Sequence, residues 1–229
     1  HAWGMTETAP LGSVSRVPSE LADAPADACY AWRARQGRPA PFVEIRARGE
    51  DGALIAWDDH TMGELEVRGP WVAAAYYPGD EAPDRWTTDG WFRTGDIVTI
   101  APSGCLMIQD RAKDLVKSGG EWISTVALES ALVEHAGVSE AVVVAVPHPR
   151  WGERPLAVIV PAPGCAPTVD EIRAHLAPRV AKWWLPDAVV HVESLPRTGA
   201  GKYQKHVVRE AYKDHFAAVS AGTVLGSEG

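Results

Sequence analysis

Asp96 closes the string Gly90-Trp91-Phe92-Arg93-Thr94-Gly95-Asp96, just past a glycine turn and at the mouth of a β segment covering residues 97–100. A carboxylate fixed there can accept hydrogen bonds from two vicinal hydroxyls at once, which is what gripping a ribose requires. The same tripeptide is also an ordinary turn, so it does not decide the matter alone. Trp3 stands before Gly4, and a flat indole beside exposed backbone is a platform for stacking a purine. The competing role is a core side chain, since the chain has 10 tryptophans. Thr6 offers a hydroxyl to a phosphate. Glu7 offers a hard oxygen to Mg²⁺, an ion that keeps several waters and takes few protein ligands, or it is a plain solvated carboxylate. Lysines and arginines gather at residues 111–117 and 197–205. In a chain whose formal net charge is −8, these are the places to meet an anion. Lys202 sits between Gly201 and Tyr203, in a loop with Gly199 that follows Pro196. There it reads as a mobile ammonium or an inert surface lysine.

The elements that must carry these groups change character along the chain. Residues 1–35 hold few periodic apolar positions, and the Ala/Asp/Pro-rich stretch 18–28 reads as surface loop. Short strands follow at 42–48, 63–68, 96–100 and 104–109, separated by glycine or proline turns, the pattern of a small antiparallel sheet or barrel. After Asp110 the pattern becomes mixed. Ser124 caps a helix running to about His135, with Leu128, Ala131 and Leu132 on one face and Gly137 as its stop. Residues 142–146 and 156–160 are continuous apolar strands, as expected for burial on both faces. Thr168-Val169-Asp170-Glu171 is a capping box opening a helix that carries Ile172 and Leu176. A third strand at 188–192 and a last helix at 205–216 complete three strands and three helices around one core. Residues 217–229 read as a loose tail. The switch in pattern places a domain boundary within residues 111–113.

Composition narrows the class. At 229 residues and 46% hydrophobic, the chain can bury one good core or two small ones. Three cysteines, odd in number and far apart with no Cys-x-x-Cys pair, speak against disulfides and structural zinc and fit a reducing compartment. The longest apolar run, residues 141–146, is far too short to span a bilayer, and no signal peptide is visible. Net negative charge argues against general nucleic-acid binding. A cytoplasmic location is the expectation. The eight histidines show no ligand spacing.

Four segments taken in order, Trp3-Gly4-Met5-Thr6-Glu7, Thr94-Gly95-Asp96, the stretch from Asp110 to Ser124 containing Lys117-Ser118-Gly119-Gly120-Glu121-Trp122-Ile123, and Pro196-Arg197-Thr198-Gly199-Ala200-Gly201-Lys202, resemble the acyl-adenylate-forming (AMP-binding) superfamily. The likeness runs from His1 to about Phe216 and is strongest to the C-terminal part of medium- or long-chain fatty acyl-CoA synthetases. The resemblance implies an α/β (α+β) chain: the β-meander end of a large AMP-binding domain over 1–111, then a small mobile α/β domain over 112–216. It departs at the front. The Ser/Thr/Gly-rich phosphate loop ending in lysine is absent, so the expectation is a fragment that is inactive alone.

By that resemblance, Lys202 is the catalytic lysine of adenylation. Trp3, Gly4, Thr6, Asp96, Arg111, Lys117 and Trp122 contact the nucleotide, and Glu7 takes the metal. Lys113 is the hinge about which the small domain turns. Ser118, Gly119 and Gly120 line the path of CoA, where missing side chains let a ligand run along the backbone. Arg111 has a second reading as half of a structural Arg–Asp pair, the glycines as a plain tight turn, and Lys205 is read as a solvated base of the last helix. The 147–153 turn, Pro-His-Pro-Arg-Trp-Gly-Glu, also resembles these synthetases and is read as a structural loop beside the CoA path. The implied ligands are a fatty acid, ATP, Mg²⁺ and CoA, with no nucleic acid; peripheral membrane contact and a homodimer stay open. Other readings are an aryl-CoA ligase, a luciferase-like enzyme, or a non-catalytic interaction module.

Overall fold

The computed structural model describes residues 1–77 and 82–217. The expected tail therefore lies outside the described residues, apart from Ala217. Two compact units divide between Ala112 and Lys113. No helix among the described residues is long and apolar enough to cross a membrane.

In the first unit, the two-residue strands β1 (Ala2–Trp3), β2 (Ser13–Val14) and β3 (Arg38–Pro39) form one antiparallel sheet, and helix α1 spans Ala26–Ala34 between β2 and β3. Sequence reading assigns no helix to residues 1–35 and expects loop through 18–28, which overlaps the start of α1. The helix starts directly after Pro25, is rich in alanine, and buries none of its residues, so it leaves no apolar periodicity to detect. Strands β4 (Glu44–Arg48), β5 (Gly63–Arg68), β6 (Phe92–Ile100) and β7 (Leu106–Arg111) make a four-stranded antiparallel meander. Alternation sends Ile45, Ala47, Leu65, Val67, Phe92, Val98 and Ile100 into a shared core that also holds Trp3. The opposite face is charged. Glu66, only 2% exposed, lies within ion-pair distance of Arg46, Arg48 and Arg93, at 2.5, 3.3 and 3.6 Å.

Strand β6 begins earlier than the sequence suggests. Thr94-Gly95-Asp96 does not precede the strand but forms a bulge inside it: Glu64 pairs with Ile97 while Glu66 pairs with Arg93. Gly95 at φ 74° accommodates the extra residues, a left-handed conformation costly for any residue with a Cβ. Thr94 is fully buried. Its hydroxyl donates to Leu65 O at 2.9 Å and accepts from Asp96 N at 3.1 Å, which holds the bulge in shape.

The second unit is built on β8 (Val116–Ser118), β9 (Glu121–Ile123), β10 (Val138–His148), β11 (Gly152–Pro161) and β12 (Ala188–His191), with order β10-β11-β8-β9 and β12 pairing parallel to β11. Helices are α2 (Thr125–Val133), α3 (Val169–Leu176) and α4 (Lys205–Ala211). The expected single core is two clusters, one on each face of the sheet. Ala141, Val143 and Ala157 pack with Leu128, Leu132, Ile172 and Leu176 of α2 and α3. Val142, Val144, Val146, Leu156 and Val158 pack with Leu195, Val208 and Phe216. This is what continuous rather than alternating apolar strands require. Ser124 Oγ caps α2 by accepting from Ala127 N at 3.0 Å, and Thr168 and Glu171 close a reciprocal capping box on α3. Two ends differ from expectation: α2 is C-capped by Glu134 in a right-handed conformation, without use of Gly137, and α4 stops at Ala211, where Tyr212 takes φ −117°.

Candidate functional site

Asp96 is the best-defined polar group of the first unit. Its register partner across β6 and β7 is Arg111, whose Nε lies 3.0 Å from Oδ1, while the Trp3 indole N–H donates to Oδ2 at 2.8 Å. The carboxylate is 3% exposed. Burial pushes its pKa above the ordinary aspartate value, against the opposing pull of Arg111 and the Trp3 hydrogen bond. The Arg–Asp pair of the alternative reading therefore exists, but with Asp96 in place of the neighbouring Asp110. Asp110 instead accepts from the Arg111 backbone N–H at 2.7 Å.

Trp3 departs from the expected stacking platform. Its ring is 8% exposed, belongs to the meander core, and packs against Gly12, where an added Cβ would come within 2.2 Å of the ring. Here the indole is a buried donor that holds Asp96. Gly4 and Thr6 are exposed. Glu7 is half-buried and accepts a short hydrogen bond from the Tyr76 hydroxyl. That bond to a carboxylate holds the phenol proton and raises the Tyr76 pKa. Tyr76 stands 69 residues from Glu7, and nothing local in the sequence points to it. No group of three or more His, Cys, Asp or Glu side chains among the described residues could hold a metal ion. Glu7 thus fits Mg²⁺ only as a single carboxylate ligand, with one oxygen already engaged; that suits an ion carried mainly by substrate phosphates and water.

In the second unit, Lys113 is exposed in the turn that opens it. Ser118, Gly119 and Gly120 form the β8–β9 hairpin, with Gly119 and Gly120 at φ 60° and 88° as the two central residues of a two-residue turn. A Cβ on Gly119 would sit 3.0 Å from the Trp151 ring, so the tight-turn reading and the packing reading both hold at that position. Lys117 places its ammonium 6.0 Å from the centroid of the Trp122 ring. The Trp122 indole N–H is buried and has no hydrogen-bond partner among the described residues.

Arg154 supports this turn from behind, a role that sequence reading missed. At 8% exposed, it donates to Ser118 Oγ at 3.1 Å, to the carbonyls of Trp183 and Leu185 at 2.8 and 2.9 Å, and pairs with Asp187 at 2.6 Å. Its signal was a lone arginine at the head of an apolar strand: a charge so placed must find full compensation.

Lys202 is exposed, as an unpaired-looking loop residue would be, but its loop is not slack. Thr198 N donates to Lys202 O at 2.8 Å, Gly201 N to Thr198 O at 2.8 Å, and Lys202 N to Thr198 Oγ1 at 3.2 Å. Arg197 ties down the base: it donates to Gly201 O at 3.0 Å, stacks 4.1 Å from the Tyr203 ring centroid and pairs with Glu140 at 3.0 Å. Lys205 differs from the solvated base expected. Its ammonium is 2.8 Å from Glu129 and 2.7 Å from Thr125 Oγ1, with the two side chains of the ion pair 15% and 17% exposed. Glu129 also accepts from Val143 N at 2.8 Å, so the pair locks α4 to α2 and β10.

Residues 127–202 match the AMP-binding enzyme C-terminal domain. The chain is 46% identical over 218 residues to a long-chain-fatty-acid–CoA ligase of Thermus thermophilus, covering 94% of this chain and 40% of that protein. It is 43% identical over 214 residues to a medium-chain-fatty-acid–CoA ligase of Ectopseudomonas oleovorans, covering 93% of this chain and 39% of that protein. Among solved structures, ATP-bound MatB from Rhodopseudomonas palustris superposes with a TM-score of 0.73 at 32% identity, covering 93% of this chain and 40% of that one. The chain spans about two fifths of the length of the relatives it matches.

Proposed function

We propose that this chain, similar over nearly all its length to the C-terminal part of acyl-adenylate-forming ligases, supplies the ribose-binding and lysine-bearing parts of a fatty acid–CoA ligase. The reaction has two steps. A fatty acid carboxylate attacks the α-phosphorus of ATP, giving acyl-AMP and pyrophosphate; the CoA thiolate then attacks the acyl carbon and expels AMP.

The observation that carries this reading is the state of Asp96. Trp3, itself fixed in the core, holds one carboxylate oxygen. The other faces Arg111, whose side chain is 52% exposed. The Asp96 side chain is itself 4% exposed, so the guanidinium cannot simply be removed without leaving a buried charge; two vicinal ribose hydroxyls would take its place by donating hydrogen bonds to the same carboxylate. The released Arg111 is then free to meet a phosphate bidentately. Lys202 would stabilise the charge that develops as pyrophosphate departs, and it can do so without titrating. Lys117 and the unspent Trp122 N–H would contact the nucleotide, with Gly4 and Thr6 bordering it. Lys113 would be the hinge, and Ser118-Gly119-Gly120 the turn that CoA passes. Glu7 would hold Mg²⁺, which when bound supplies neutralisation of phosphate charge. A cytoplasmic enzyme is the setting these ligands suit.

Calorimetric titration of the 229-residue chain with AMP tests the reading. Binding is expected, and Asp96→Asn should weaken it at least tenfold by removing a charge-assisted acceptor. A chain that ignores AMP, or a variant that binds it equally well, would leave an interaction module as the better account.

A further inference from the structure

A cavity in the first unit is lined by none of the residues assigned to the nucleotide, the metal, the hinge or the CoA path. It has a volume of about 430 Å³ and opens between α1 and the segments leaving β2 and flanking β3. Val14, Val17 and Pro39 give it an apolar lining and Trp32 forms a wall. The wall is held in place: the Trp32 indole donates to Arg16 O at 2.7 Å, and Ser15 Oγ donates to Trp32 O at 3.3 Å. Such a volume lies within the roughly 300–1,000 Å³ range of small-molecule sites.

Two arginines, Arg16 and Arg38, also line this cavity. Arg35, Arg46, Arg48, Arg68, Arg93 and Arg111 of the same unit each hold a carboxylate. Among the described residues, Arg33 and Arg85 of this unit hold no carboxylate either, but neither lines the cavity; Arg16 and Arg38 do line it, and they have no ion pair or side-chain hydrogen bond. Leaving two planar cationic forks without carboxylates, on one apolar cavity, suits a ligand that brings the anion with it.

We infer that this cavity binds an amphipathic carboxylate of medium chain length, its alkyl part against Trp32, Val14 and Val17 and its head group between Arg16 and Arg38. A phosphate monoester with the same tail shares the chemistry and is separated by experiment. The site uses none of the residues assigned to the nucleotide, so it stands or falls independently of the ligase reading.

The test is calorimetry on the 229-residue chain with octanoate, octyl phosphate and 1-octanol. Octanoate should bind and octanol should not. The Arg16→Ser/Arg38→Ser double variant, whose changes are both at exposed positions, should lose at least tenfold in octanoate affinity with an unchanged unfolding midpoint. Val17→Trp should block binding by filling the cavity. Any of four results would overturn the proposal: no octanoate binding, octanol matching octanoate, full affinity in the double-arginine variant, or octyl phosphate binding where octanoate does not.

Discussion

Replacing Trp3 with Phe removes one hydrogen-bond donor from a buried carboxylate while keeping an aromatic ring in the core. The lost bond runs from an indole N–H to Asp96 Oδ2 at 2.8 Å, between partners 8% and 3% exposed. Hydrogen bonds to charged groups contribute about 1.5–3 kcal/mol, so the coupling should be about 2 kcal/mol, some thirtyfold in the unfolding constant of the first unit. Loss of ring volume adds its own cost. A double-mutant cycle with Asp96→Ala subtracts that cost and isolates the pair. Urea unfolding at pH 7 measures it, with the transition of the second unit as an internal control. The pH dependence follows from sign. Burial raises the Asp96 pKa, so the native unit binds a proton more readily than the unfolded chain, and stability falls as pH rises from the ordinary aspartate range through the folded value. The Trp3 bond favours the charged form. Its contribution is therefore full above that window and fades as pH falls through it. A coupling below about 0.5 kcal/mol at pH 7, or one that does not shrink on acidification, would refute the account of Trp3 as the residue that holds Asp96.

Three further outcomes are expected. Lys205→Met should destabilise the second unit by about 2 kcal/mol in urea unfolding, since it removes the ammonium that pairs with the 17%-exposed Glu129 and bonds Thr125, whereas Lys202→Ala should change stability by less than about 0.5 kcal/mol. In an active ligase carrying this chain, Lys202→Ala should slow acid-dependent pyrophosphate exchange by about 10²–10³ and spare the reaction of preformed acyl-adenylate with CoA; Lys113→Pro should do the reverse. Equal loss of both half-reactions in each variant would argue against a hinge. The 229-residue chain by itself should release no pyrophosphate with a fatty acid and ATP, because the resemblance implies a separate Ser/Thr/Gly-rich phosphate loop for the triphosphate, distinct from the Lys202 loop, that this sequence does not include; turnover above a no-acid control would contradict this.

What could be read in advance was local. The Thr168–Glu171 box, the Ser124 cap and strand β5 are each set by residues within a few positions of one another, and the structure has all three. The two-sided burial of β10 and β11 was legible from their unbroken apolar runs, although two core clusters rather than one follow from it. Elements with no such imprint escaped. Helix α1 buries nothing, and the β8–β9 hairpin has strands of only three residues. In the site, residue types pointed to Asp96, but its environment is made by Trp3, 93 positions away. Lys205 looked solvated because Thr125, its hydroxyl partner, is 80 residues earlier. Arg154 collects its partners from two distant segments, Ser118 and residues 183–187. Pairings of that separation are decided by the sheet's topology, which no window of sequence contains.

The tied-down loop around Lys202 sets how that lysine can travel. With Thr198, Gly201 and Lys202 bonded to one another, and Arg197 anchored on Tyr203 and Glu140, the ammonium has the sweep of its own four-carbon stem and no more. Beyond that radius it moves only as cargo of the unit that carries it. Collective motion of such a body belongs to the microsecond-to-millisecond range, slower than the nanosecond flicker of a free loop. Any step that waits for Lys202 should then slow with rising solvent viscosity. Loosening the loop at Thr198 should scatter the aim of the ammonium without hastening its arrival.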